Sequence, residues 1–233
     1  MFKPAGRLGA LVILHEKSEG IGCLNGPLSE TTSSVRWAKL YAGERLPSDP
    51  SEWSLIVSMG GPMNVYEEDE YPFLREETEF LRRAIESDVP ILGVCLGAQM
   101  IAKACGAKVV KSPEMEWGWR NVYLTEEGRR DPVFRRFPST LRVFQWHEDM
   151  FELPEDAVLL ATSDDCPNQA FRYRRALGLQ FHVEITHAIL DDWTRNKPDR
   201  HRVLSEFEER ENSLFGYAAR ICRNLLSLET RIS

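Results

Sequence analysis

The sequence predicts an α/β protein, a three-layer α/β/α sandwich around a mostly parallel central sheet. In the first half of the chain, short apolar runs alternate with helical patterns, as in sheets covered on both faces. After Gly106, strand-like runs follow one another closely, which predicts a small antiparallel element in the second half. From Thr186 the pattern is helical, which places helices at the C-terminal end.

The first half contains four candidate strands and two candidate helices. The strands are expected at Leu8–Leu14, Ser34–Tyr41, Ser54–Ser58 and Val89–Val94. Tyr71–Ser87 is predicted to be a crossover helix, because its apolar residues have mostly helical spacing, with acidic residues near its start and arginines near its end. Leu96–Cys105 is the second helix, and it ends at a glycine suited to a left-handed cap.

The second half is predicted to be rich in sheet and partly antiparallel. Six runs read as strands: Ala107–Val110, Trp119–Leu124, Leu141–Trp146, Val158–Ala161, Gln169–Tyr173 and Ala176–Phe181. The last helix carries one apolar stripe, formed by Leu214, Tyr217, Ala218, Ile221, Leu225 and Leu226. We interpret this stripe as core packing rather than as a partner site.

Length and composition favour one domain over residues 1–233. There are 29 Lys and Arg against 36 Asp and Glu, and the formal charge of −7 opposes a nucleic-acid partner. The apolar run Leu8–Leu14 is too short to span a bilayer, so no membrane association is expected. Five cysteines without a C-x-x-C pair fit neither a disulfide framework nor a zinc site, and they indicate a reducing cytoplasm.

Cys95 lies where a predicted strand passes into a predicted helix, between Gly93 and Gly97. A sharp turn at such a junction exposes a nucleophile at the end of the strand, and the glycines let strand and helix pack closely. The N-terminus of the following helix favours a thiolate over a thiol. Most lone cysteines are buried structural residues, but the glycine frame favours a nucleophile here.

His182 and Glu184 stand at the end of an apolar strand pattern, two residues apart. In an extended chain both side chains leave from the same face, so Glu184 can orient the imidazole of His182 as the base for Cys95. The pattern alone has low specificity, because a surface histidine beside a glutamate is common. Its weight comes from the cysteine junction elsewhere in the chain.

Gly60 and Gly61 follow another predicted strand, and their backbone amides are candidate donors to an oxyanion. The amide of Leu96, directly after the nucleophile, is the second candidate donor. Taken alone, Gly60-Gly-Pro62 is more typical of a plain turn. The glycine pair, the cysteine junction and the histidine–glutamate pair each follow a predicted strand. Ligand sites of α/β sheets lie at such strand ends, so the three together favour a functional site.

Gly60-Gly-Pro62, Gly93-Val-Cys-Leu-Gly-Ala-Gln99 and Gln180-Phe-His-Val-Glu184 resemble, in this order, the three signatures of class I glutamine amidotransferases. The resemblance is closest to the branch that includes the amidotransferase domain of GMP synthase. It implies a flavodoxin-like fold and hydrolysis of a γ-glutamyl amide through a thioester on the cysteine, with ammonia released for an acceptor.

The resemblance also implies a set of substrate-binding residues. Gly60 and Gln99 are expected to hold the glutamine, and Glu116 with Gly118 matches an acid and a glycine that follow the nucleophile helix. His147 and Asp149 match a His-x-Asp loop beside the pocket. The triad segment departs from the family, since Val183 stands where proline is usual; its side chain points away from its neighbours, so little harm is expected.

Several alternatives stay open. No synthetase domain or phosphate-binding glycine loop follows Thr186, so the ammonia is either a product or passes to a separate synthetase or acceptor protein. One rival is a γ-glutamyl peptidase acting on glutathione-like or γ-glutamyl amine compounds, and another is a non-catalytic regulatory module, which an intact triad opposes. A metal site at His182, Glu184 and His187 lacks partner cysteines, so neither metal nor cofactor is expected. The sequence leaves open whether the oxyanion loop is preformed or awaits a partner.

Overall fold

The computed structural model describes residues 8–228, and its strands form one nine-stranded sheet. The strands are β1 Leu8–Leu14, β2 Val35–Lys39, β3 Trp53–Ser58, β4 Ile91–Val94, β5 Val109–Leu124, β6 Thr140–Phe151, β7 Val158–Thr162, β8 Ala170–Tyr173 and β9 Ala176–Leu179. The helices are α1 Asn25–Thr31, α2 Phe73–Glu86, α3 Leu96–Ala104, α4 Glu126–Arg130, α5 His187–Thr194 and α6 Arg200–Leu226.

The α/β class is confirmed, whereas the mostly parallel sheet holds for only half of the strand pairs. In the order β2-β1-β3-β4-β9-β8-β7-β5-β6, the pairs from β2 to β9 are parallel and those from β9 to β6 are antiparallel. Two residues join β8 to β9, a connection that only antiparallel strands permit. The antiparallel element is therefore an extension of the central sheet and larger than expected.

Two predicted strands, Ala107–Val110 and Trp119–Leu124, are parts of the single strand β5. Its pairing with β6 shifts register between Lys111 and Glu116. Pro113 lies inside this irregularity, where its missing N–H is tolerated. Helix α1 was not predicted, because Gly26 and Pro27 within seven residues give a weak helical signal.

Alternating side chains of β1 show the layered packing directly. Ala10, Val12 and Leu14 enter a core shared with α1 and α6, whereas Leu11 and Ile13 enter a core shared with α2 and α3. The predicted stripe on α6 packs into the core, with Tyr217 and Leu226 only partly buried. Within residues 8–228, no helix combines the length and apolar character needed to cross a bilayer.

The parallel strands β1, β3, β4 and β9 end at the same edge of the sheet. The segments that follow them contain His15, Gly60, Cys95 and His182, respectively. The topology therefore brings the sequence motifs together at the edge where α/β proteins bind ligands.

Candidate active site

Cys95 occupies a strained turn between β4 and α3. Its backbone has φ 52° and ψ −109°, a conformation that is costly for a residue with a side chain. The Cys95 amide donates to the Leu179 carbonyl at 2.8 Å, which ties the turn to β9. The residue is 8% exposed and lines a cavity, which opens the side chain to small molecules.

The glycines around Cys95 are sterically required. A Cβ on Gly97 would lie 2.0 Å from the Ser58 carbonyl oxygen, and one on Gly93 would lie 2.5 Å from the Gly97 carbonyl. No side chain fits at such distances from backbone atoms. The close packing predicted for this junction is therefore present, and it holds the turn at Cys95 in its strained conformation.

His182 and Glu184 form a buried pair beside Cys95. Nδ1 of His182 lies 2.7 Å from Oε1 of Glu184, and the His182 amide donates to the Phe144 carbonyl at 2.9 Å. Burial alone lowers the pKa of His182, but the Glu184 carboxylate and the Cys95 sulfur outweigh it and raise the pKa well above its usual value. The structure thus favours a charged imidazole held by Glu184 next to the sulfur.

Aromatic rings pack around the imidazole of His182. The ring of Trp193, from α5, meets the His182 ring edge to face with centroids 5.0 Å apart, and Trp146 packs on Trp193 at 5.4 Å. This packing limits rotation of the imidazole. Trp117 completes the wall against Trp146, so the Trp117-Gly-Trp119 segment reaches the site through core packing.

A cavity of about 320 Å³ opens over the sulfur, within the size range of small-molecule sites. Its lining consists of Glu19, Gly61, Pro62, Met63, Asn64, Cys95, Leu96, Gln99, Lys111, Trp146, His147, Glu148 and Asp149. Four residues expected from the sequence to bind substrate or oxyanion are therefore in the wall: Gly61, Leu96, Gln99 and His147.

Gly60 is held from behind by His15, a residue for which the sequence alone suggests only an ordinary surface or capping role. His15 is fully buried, and its Nδ1 donates to the Gly60 carbonyl at 3.2 Å. Its Nε2 lies 2.6 Å from Glu77, whose other oxygen accepts from Ser58 at 2.7 Å. The C=O and N–H of a trans peptide point in opposite directions, so this bond turns the Gly61 amide away from His15.

His15 keeps its protons despite its burial. Burial lowers its pKa, but the Glu77 carboxylate and the acceptors of the glycine loop raise it above the usual value overall. A charged imidazole donates from both nitrogens, as the contacts to Gly60 and Glu77 require.

Both ring nitrogens of His147 are engaged. Nδ1 donates to the Asp149 carbonyl at 3.0 Å, and Nε2 lies 2.9 Å from Glu116. Glu116 is fully buried, accepts from Ser163 at 3.0 Å, and does not reach the cavity. Glu116 therefore lies behind His147, outside the cavity wall, and we expect any influence on a substrate to pass through His147.

Gln99 is similarly fixed by the scaffold. Its side-chain amide donates to the Asp149 carbonyl at 3.0 Å and to Gln180 at 3.3 Å. Gln180 also donates to the Cys95 sulfur at 3.8 Å. The hydrogen bonds link α3, the segment from Gln180 to Glu184, and the His147–Asp149 segment, which was expected to be a loop but lies within strand β6.

Cys166 forms a second buried Cys–His–Glu group with His147 and Glu116. Ligand atoms of the three lie within 4.8 Å of one another, close enough to share a metal ion, although the sequence predicted no metal site. Cys166 is fully buried and does not line the cavity over Cys95. His187, in contrast, is exposed at the start of α5 and does not join His182 and Glu184 in such a group within residues 8–228.

The other thiols are poor nucleophiles. Burial raises the pKa of the thiols of Cys23, Cys105 and Cys222 to about 12 and also raises that of Cys166. Only a small fraction of each is a thiolate at neutral pH, and the thiolate is the attacking form.

Sequence reasoning missed Glu19, His15 and Trp193 as parts of the site. The first two follow β1, so the rule that sites gather at the carboxyl ends of parallel strands was the available signal. Trp193 gave no such signal, because it reaches His182 only through the docking of α5.

Comparisons with known proteins identify the family of the chain. The family model for class I glutamine amidotransferases matches residues 29–196. The glutamine amidotransferase-like protein YfeJ of Salmonella typhimurium is 36% identical over 178 residues, covering 75% of this chain and 74% of that protein. A GMP synthase of Thermosipho africanus is 33% identical over 66% of this chain, but the match covers only 30% of the synthase.

A solved structure of a glutamine amidotransferase from Thermotoga maritima superposes with a TM-score of 0.88 at 34% identity, covering 95% of this chain and 99% of that one. A glutamine amidotransferase structure from Methylobacillus flagellatus gives a TM-score of 0.84 at 25% identity, covering 97% and 98%. With the matched family model, these similarities establish that the chain belongs to the class I glutamine amidotransferase family.

Proposed function

We propose that this protein hydrolyses the γ-amide of glutamine, or of a related γ-glutamyl compound, through a thioester on Cys95. One observation carries the proposal: the strained Cys95 opens into a cavity beside the buried pair of His182 and Glu184. The cavity gives a substrate access to the sulfur, and the pair supplies a base and its orienting carboxylate.

In the first half of the reaction, the Cys95 sulfur attacks the γ-carbonyl carbon, and the thiol proton resides on His182. The tetrahedral intermediate collapses when its C–N bond breaks, and His182 gives the proton to the departing nitrogen. Water then attacks the thioester while His182 accepts a proton, and the C–S bond breaks to release glutamate. Glu184 holds the imidazole throughout and stabilises its charged form.

The oxyanion is assigned to the amides of Gly61 and Leu96. Leu96 is the first residue of α3, so its N–H has no carbonyl partner in a preceding helical turn. The Gly61 amide is turned away from His15 by the bond that His15 makes to the Gly60 carbonyl, and Gly61 lies in the cavity wall. Because buried side chains fix this peptide, we infer that the oxyanion hole is formed without a partner protein.

The glutamyl part of the substrate is assigned to the wall formed by Gln99 and His147, with Gly60 shaping the loop above it. Both side chains are already held by the Asp149 carbonyl, so their positions in the wall are fixed. Glu116 acts on this wall through His147. His147 does not replace His182 as the base, since neither of its nitrogens is free.

The second candidate function is that the protein passes its ammonia to a separate synthetase. One of the relatives, from Pyrococcus abyssi, is named as a single subunit of a glutamine-hydrolysing GMP synthase, and it is 40% identical over 105 residues. The match covers 44% of this chain and 54% of that protein. The fixed oxyanion loop favours the self-sufficient hydrolase over this pairing.

The test is glutamate release by the purified chain from glutamine and from a panel of γ-glutamyl peptides and amines. Turnover by the isolated protein that is lost in Cys95→Ala supports the proposal. Hydrolysis that appears only after a synthetase is added would favour a partner-gated enzyme. No hydrolysis of any γ-glutamyl amide under either condition would reject the proposed function.

A further inference from the structure

Glu19 reaches from the loop after β1 into the cavity, beside the catalytic base. A Cβ built on Gly60 would lie 2.6 Å from Oε2 of Glu19 and 3.6 Å from Cε1 of His182. The carboxyl group and the imidazole therefore meet over the same glycine. The proposed reaction assigns no role to an acid at this position.

The Glu19 carboxyl group has no hydrogen-bond or ion-pair partner within residues 8–228. Burial raises the pKa of Glu19 to about 7, and Glu184 adds to the rise, while His182 opposes it. The negative charge of an ionised Glu19 would also repel an oxyanion formed nearby. Hydrolysis of the amide by itself therefore does not explain why an acid stands at this position. A positive group from a bound molecule would relieve both costs.

The chemistry of the leaving group fixes which part of a substrate meets Glu19. The departing nitrogen must approach His182 to receive its proton, so any substituent on that nitrogen lies on the His182 side of the cavity. The glutamyl part lies toward Gln99 and His147. The substituent is therefore the part of the substrate that comes nearest to Glu19.

We propose that Glu19 selects the leaving group, favouring amines that carry a positive charge over amines that carry a carboxylate. The inference rests on the proposed function and specifies its substrate class as γ-glutamyl amides of cationic amines. Lys111, the cation in the cavity wall, is already paired with Asp149 at 2.8 Å. Within that wall, no unpaired cation is left to receive an anionic leaving group.

The experiment compares three γ-glutamyl amides of similar length, made from 1,4-diaminobutane, butylamine and 4-aminobutanoate, together with glutamine. Glutamate release is measured at pH 8.5, where the Glu19 carboxyl is ionised. The wild type is expected to give a kcat/KM for the cationic amide at least tenfold above that for the anionic one. Glu19→Gln should reduce this ratio tenfold or more, and Glu19→Lys should invert it. Glu16→Gln, on the same loop but outside the cavity wall, is the matched control and should keep the ratio.

The outcomes separate the two proposals. If the wild type hydrolyses glutamine but shows no preference for the cationic amide, or if Glu19→Gln leaves the ratio unchanged, the role of Glu19 is refuted and the proposed function stands. If the wild type hydrolyses none of the four compounds, the proposed function itself fails.

Discussion

Two substitutions of His15 separate its two contacts. The carboxamide nitrogen of asparagine takes the position of Nδ1, whereas that of glutamine takes the position of Nε2. His15→Asn therefore retains a donor to the Gly60 carbonyl and loses the contact with Glu77, while His15→Gln does the reverse. Both variants lose the buried positive charge, so they form a matched pair.

The bond from a charged imidazole to the Gly60 carbonyl is worth about 2 kcal/mol. Losing it in His15→Gln shifts the peptide-flip equilibrium roughly thirtyfold toward the orientation without the Gly61 donor. Complete loss of one oxyanion donor lowers kcat by about 100- to 1,000-fold, and this is the largest fall that His15→Gln could cause by this route. The expected fall in kcat for His15→Gln is therefore about 10- to 100-fold. His15→Asn keeps most of kcat but loses about 3 kcal/mol of stability or more, because Glu77 is left buried without its partner.

The assay is glutamate release at saturating substrate, normalised to the folded fraction by urea unfolding of each variant. A large loss of kcat in His15→Gln with a small one in His15→Asn supports the role of His15 in holding the oxyanion loop. Equal losses in both variants, or none in either, would refute it.

Three further predictions rest on the same contacts. His182→Ala should lower kcat by about 1,000-fold or more and Glu184→Gln by less, and the double variant should be no worse than His182→Ala, because the residues act as a unit; steady-state kinetics of all three variants checks this. Gly97→Ala should unfold at a urea concentration well below that of the wild type, because its Cβ would collide with the Ser58 carbonyl, whereas Ala98→Gly on the same helix should have a smaller effect. The free energy of unfolding should fall as pH rises above about 6.5, the ordinary pKa of histidine in the unfolded chain. The pKa values of His15 and His182 are raised in the folded protein, so their contribution to stability is complete below the unfolded-state pKa and is lost as pH rises through the folded-state pKa values. Urea titrations from pH 6 to 9 measure this slope, which should be shallower in His15→Gln.

The sequence predicted the parts of the fold that depend on local pattern. Strands such as β1 and β3 and the helix α2 differ from their predicted bounds by at most two residues at either end, because their apolar residues have a clear period. The extent of the antiparallel sheet was underestimated, since strand direction depends on which connections are short. The joining of two runs into β5 across Pro113 depends on pairing with β6, which no local pattern encodes.

For the candidate site, the local geometry expected from the sequence is present where a motif fixes the backbone. The turn at Cys95 and the spacing of His182 and Glu184 are local features, and the structure brings them together. Glu116 illustrates the limit, because the motif places it near the pocket but only the fold shows that it stands behind His147. His15 illustrates the converse, since its importance comes from a contact with Gly60 that is 45 residues away.

The most direct test of the central claim is to locate the covalent intermediate. The protein is mixed with glutamine, quenched in acid within milliseconds to seconds, digested and mapped by mass spectrometry, with Cys95→Ala and Cys166→Ala as the paired variants. We predict a glutamyl adduct on the Cys95 peptide in the wild type and in Cys166→Ala, and neither adduct nor glutamate release in Cys95→Ala. An adduct on Cys166, or undiminished glutamate release by Cys95→Ala, would contradict the assignment of Cys95 as the nucleophile.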